Sequence, residues 1–152
     1  LYRRALELDP DSANKNGNFG ALLVRSSKVD EGLQLLQRAW ELNNGEGTQL
    51  AAEVCLNWCL AARMKEMPDV GGIGRLRTLL TRGFLRSVWT FDPILEVAAE
   101  ALGDAAPFYR ALADAILDKE KVPKLEEFER WKDTEPISLD EPWDMSLDTL
   151  KS

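Results

Sequence analysis

The chain has 152 residues, 45% of them apolar and 30% charged, with a net charge of −7 and no histidine. That length suits one domain whose core stands without disulfides or metals, and no apolar run approaches the roughly 18 residues of a membrane span. An acidic chain is a poor nucleic-acid binder, because neutralising phosphates takes a surplus of Lys and Arg, and the lack of histidine removes Ser-His-Asp and Cys-His catalysis and most zinc sites together.

Residues 1–8 read as a helix stopped by Asp9-Pro10, since proline removes a donor and pushes its predecessor out of helical geometry. Asp11 or Ser12 can cap a second helix over 13–26, with Phe19, Leu22 and Leu23 as its apolar face and Gly20 where another helix passes close. Ser26-Ser27-Lys28 reads as a tight turn. A helix over 29–42 then sets Val29, Leu33, Leu36, Ala39 and Trp40 on one stripe, with Asp30 and Glu31 suited to its start. Asn43-Asn44-Gly45 ends it, because Asn and Gly tolerate the left-handed conformation of a helix terminus.

These segments repeat. Residues 1–10 align with residues 35–44 at an offset of 34, with Leu, Arg, Ala, Glu and Leu identical at matching places. Tyr2, Ala5, Pro10, Phe19, Gly20, Gly32, Leu36 and Ala39 fall where a tetratricopeptide (TPR) repeat puts its aromatic, small and terminating residues, so the chain resembles a TPR protein over residues 1–44. The resemblance implies an all-α stack of antiparallel helical hairpins that binds another protein. It further implies that Asn14, Gly17, Asn18, Ala21 and Arg25 line a concave groove, with Asn18 at the characteristic asparagine position. The carboxylate clamp of some members needs a lysine where Gly17 stands and is not expected. A half-repeat at the start suggests a fragment of a longer chain, and two early arginines without an apolar core predict no secretory peptide.

Beyond the repeat, apolar residues surround the helix expected over 48–67, leaving Gln49, Glu53, Asn57 and Arg63 as a polar strip; such an element is buried on two sides. Val54 departs from the small residue that the repeat would put 34 positions after Gly20. Pro68 to Gly72 break the chain, and a helix over 73–82 follows with Ile73, Leu76, Leu79 and Leu80 inward. After an irregular connection, Asp92 as N-cap with Pro93 starts a helix closed by Gly103. Another begins near 104–107 around Phe108, Leu112, Ala115 and Ile116, and Val122-Pro123 opens a short one with Leu125, Phe128 and Trp131. Residues 134–152 read as an extended tail that lies along the body through Ile137, Leu139 and Trp143, and through its acidic charge.

Three constellations remain. Cys55 and Cys59 share a helix face, but two thiols without further ligands make no zinc site and read as core. Gly71-Gly72-Ile73-Gly74-Arg75 resembles an anion cradle at a helix start, yet it follows a helix instead of a strand and reads as a flexible loop. Residues 61–86 hold six basic and two acidic groups, and Arg75, Arg77, Arg82 and Arg86 read either as solvated helix faces or as a patch for an acidic partner or the chain's own tail. The domain reading is a TPR-like helical unit over 1–133, with repeats over 1–44 and capping helices over 45–133, then the tail. Functionally the sequence predicts a cytoplasmic, non-catalytic protein-interaction scaffold without metal or cofactor, its partner a protein or peptide and neither nucleic acid nor membrane. The alternative is an accessory domain of a larger enzyme such as a glycosyltransferase, methyltransferase or sulfotransferase.

Overall fold

A computed structural model describes residues 4, 7–46, 48–69, 71–82 and 90–145; most of the helix expected over 1–8, the connection 83–89 with Arg86, and residues 146–152 lie outside the described residues. Among the described residues the regular structure is all helical, with no strand.

Helix α1 (Ala13–Arg25) is capped by Ser12, whose hydroxyl accepts the Lys15 amide at 3.2 Å, while Asp11 pairs with Arg38 on the next helix at 3.0 Å. Asn16 donates to the carbonyls of Pro10 and Ser12, tying the preceding turn to the helix. Helix α2 (Val29–Asn43) ends on Asn44 in the left-handed conformation at φ 55°, as the Asn-Asn-Gly run requires. The two helices pack antiparallel, for Val24 and Gly20 meet Gly32, Gly20 meets Leu36 and Gly17 meets Ala39. A Cβ at Gly20 would sit 3.1 Å from the Gly32 carbonyl and from Leu36, so a small residue there sets the spacing of the pair. Gly20→Leu and Ala39→Leu are each expected to cost about 1 to 3 kcal/mol by overpacking. Thermal melts of both variants check this, and unchanged midpoints would contradict the packing.

Helix α3 (Gln49–Met64), capped by Thr48, is the axis of the core: every residue from Ala51 to Ala62 is buried. It packs on α1 and α2 on one side and on α4 (Gly72–Thr81), α5 (Asp92–Leu102) and α6 (Ala106–Leu117) on the other, so both of its faces find apolar partners. Asp92 is the first residue of α5 and not its cap; its amide instead donates to the Thr90 hydroxyl at 3.2 Å. Residues 119–127 wind as a 3-10 helix, with Pro123 withholding a donor in its middle, and a single turn, α7 (Glu129–Lys132), buries Trp131.

The chain then runs without helix from Thr134 across α4 and α3. Leu139 and Met145 are buried, and Trp143 packs edge-on against Trp40 and Trp58 with ring centroids 4.9 and 5.8 Å away. The tail is thus part of the core as far as Met145.

Candidate functional site

Asn14, Asn18, Ala21 and Arg25 recur along α1 at spacings of four, three and four, which puts them on one face of the helix. Opposite them stands α3, whose strip of Gln49, Glu53 and Asn57 faces the same way. Between the two helices lies a groove with two contiguous parts. The narrow part, about 40 Å³, is walled by Gly17, Asn18, Ala21 and Arg25, floored by Leu50 and Val54, and closed by Phe91 and Ile94 from the start of α5. The wider part, about 860 Å³, continues past Asn14 and Asn18 toward Asn43, Thr48 and Gln49. Asn18, Leu50 and Glu53 belong to both.

The groove therefore touches all five residues expected from the repeat. Gly17 has a further task, because a Cβ there would lie 3.0 Å from Leu50, so its lack of a side chain lets α3 approach α1. Glu53 and Asn57 are 8% and 7% exposed and bring polar atoms to an otherwise apolar floor; Glu53 accepts from Gln49 at 3.1 Å. Neither they nor Phe91 were expected in a site. The polar strip of α3, at intervals of four on a helix apolar elsewhere, was the signal that could have found the first two. The narrow part is far smaller than the few hundred Å³ of a small-molecule site and admits a single side chain, while the wider part is open and polar. That shape suits an extended segment anchored by one residue.

The basic block needs correction. Arg75 is 2% exposed and donates to the carbonyls of Gly71, Glu141 and Pro142, with its guanidinium 4.6 Å from the centre of the Trp143 ring. Arg77 donates to the carbonyls of Trp131, Lys132 and Thr134 and lies over Trp131. Both are engaged in holding the end of the chain, so with the tail seated they do not form an open patch for an acidic partner. Arg82 is exposed, and Arg86 lies outside the described residues. Within the block, Arg75 and Arg77 bind the tail through its carbonyls, whereas Arg82 is a solvated position.

The glycine run is neither a flexible loop nor an open anion cradle. Gly72 begins α4 against α3, where a Cβ would fall 2.4 Å from the Cys59 sulfur, and Gly74 leaves a notch filled by Ile137, 2.7 Å from where its Cβ would be. Close packing explains both. Cys55 and Cys59 are free thiols, fully buried, and burial pushes both well above the ordinary thiol range, which makes them poor nucleophiles. Among the described residues no cluster of His, Cys, Asp or Glu could hold a metal, and no helix is long and apolar enough to cross a membrane.

No family model, no curated protein and no solved structure matches this chain.

Proposed function

We propose that the chain is a non-catalytic protein-interaction scaffold of TPR type, and that it binds an extended peptide, or an extended segment of a partner protein, in the groove between α1 and α3. The observation that carries this reading is the groove itself: Asn18 lines both of its parts, beside an apolar socket of Leu50, Val54, Phe91 and Ile94. Side-chain amides at Asn14, Asn18 and Asn57 can each donate to and accept from a peptide main chain, while the socket takes one apolar side chain. An antiparallel hairpin, with a third helix packed on both its members, supports the TPR-type arrangement. The lack of histidine and the inert thiols support a role outside catalysis.

So small a groove binds weakly, and micromolar affinity at best is expected, about −8 kcal/mol. The test starts from peptides enriched from a displayed random library on the intact protein. Asn18→Ala with Arg25→Ala is expected to abolish binding at an unchanged melting midpoint, and Ala21→Trp to block the socket. Binding that survives all three changes would put the site elsewhere.

A further inference from the structure

We propose that the surface of α3 and α4 under residues 135–145 is a second peptide-recognition site, held closed by the chain's own tail. The partner it fits is an extended acidic peptide with an aliphatic residue six positions before a tryptophan, the spacing of Ile137 and Trp143. The site lies apart from the α1 groove, and its chemistry is visible in the segment now seated there.

The seat reads main chain. The Ile137 amide donates to the Gly74 carbonyl at 3.1 Å, the Thr78 hydroxyl donates to the Ile137 carbonyl at 2.6 Å, and one nitrogen of Arg75 donates to the carbonyls of Glu141 and Pro142 at 3.0 and 3.2 Å. It also has two side-chain sockets. Ile137 fills the notch over Gly71 and Gly74, and Trp143 enters between Trp40, Trp58 and the Arg75 guanidinium. Alternating main-chain bonds and side-chain sockets are how proteins hold extended peptides.

The present occupant leaves part of the seat unsatisfied. The side-chain hydrogen bonds of the buried Arg75 go to carbonyls, the Glu141 carboxylate acts on it through charge without a hydrogen bond, and its Nε has no partner among the described residues. The indole N–H groups of Trp143 and of Trp58 behind it also have no hydrogen-bond partner among the described residues. Buried donors without acceptors cost free energy, and a guanidinium bonds a carboxylate more strongly than a carbonyl. A peptide that brings a carboxylate to Arg75 therefore competes with the tail on better terms than the tail's apolar contacts alone suggest. Asp140, Glu141 and Asp144 flank Trp143 in sequence with acidic charge, which fits the same partner chemistry.

The probe is a fluorescein-labelled synthetic peptide spanning residues 135–145, read by anisotropy against the full chain and against Trp143→Ala, with helix content followed by circular dichroism. Binding to Trp143→Ala is expected to be at least about tenfold tighter than to the intact chain, because the competing tail is weakened, and to fall when Thr78→Val is added. No saturable binding by a folded Trp143→Ala up to about 1 mM would overturn the proposal. If that variant loses its helices, Trp143→Phe takes its place with the same outcomes. In the intact chain the Ile137 amide is expected to exchange at least about tenfold faster than the amides of Leu56 and Leu60. Equal rates would mean that the seat opens only with the whole fold and would overturn the proposal. Concentration-dependent dimerisation that the peptide competes away would assign the seat to the tail of a second copy and overturn the acidic-partner reading.

Discussion

Deletion of residues 134–152 is expected to lower the free energy of unfolding by about 3 kcal/mol or more and to expose apolar surface to a dye. The segment contributes Leu139 and Met145, which are 4% and 1% exposed, together with the ring of Trp143 and the side chain of Ile137. Its removal also uncovers Trp40, Trp58 and the faces of Gly72 and Gly74, positions where the chain has no side chain of its own to put in the gap. Arg75 would lose the carbonyls of Glu141 and Pro142 and keep only that of Gly71. A stability of 5 to 15 kcal/mol is usual for a domain, so a loss of this size is a large share of the total. Urea titration and dye fluorescence of the shortened and intact chains measure it. An unchanged midpoint with no gain in fluorescence would mean that the tail is not part of the core.

Alkaline pH is the second strong lever. Burial raises the folded thiols of Cys55 and Cys59 well above their ordinary range and pushes the Tyr109 hydroxyl up to about 12. All three groups favour the neutral form in the folded state, whereas the unfolded chain releases their protons at ordinary values. The stabilisation is therefore complete below the ordinary thiol range and is lost as pH rises from there toward the folded values. Each thiol removes about 1.4 kcal/mol per pH unit over that window. With no histidine to titrate, the melting midpoint is expected to be flat from about pH 6 to 8 and to fall steeply above about pH 9. Cys55→Ala combined with Cys59→Ala should delay the fall until the tyrosine range. A midpoint that ignores pH up to about 11 would show the thiols to be solvated.

The helices were legible because their signals are local. Asn44 ends α2 by its left-handed backbone, and the apolar circumference of residues 51–62 announced a helix buried all round. Ser12 and not Asp11 caps α1, while Asp11 pairs with Arg38, twenty-seven residues away, a contact that no local pattern announces. The irregular segments hide their contacts from any local pattern. Nothing near Gly72 or Gly74 in sequence says that Cys59 and Ile137 will press against them, and the run was open to reading as a loop or a phosphate cradle for that reason. Arg75 and Arg77 were legible as charges but not as hydrogen-bond donors to a distant main chain, since charge patterning carries no information on where carbonyls will lie. In the groove, α1 could be read from its repeat, while the contribution of α3 and of Phe91 depends on how α3 and α5 settle against it.

The groove is tested most directly by mapping amide and side-chain amide shifts on the isotopically labelled protein as a library-enriched peptide is titrated in. Perturbations are expected at Asn14, Asn18, Ala21, Arg25 and Asn57, saturating together at a micromolar constant. Shifts confined to α5 and α6, or to the surroundings of Trp143, with the α1 face unmoved, would contradict that expectation.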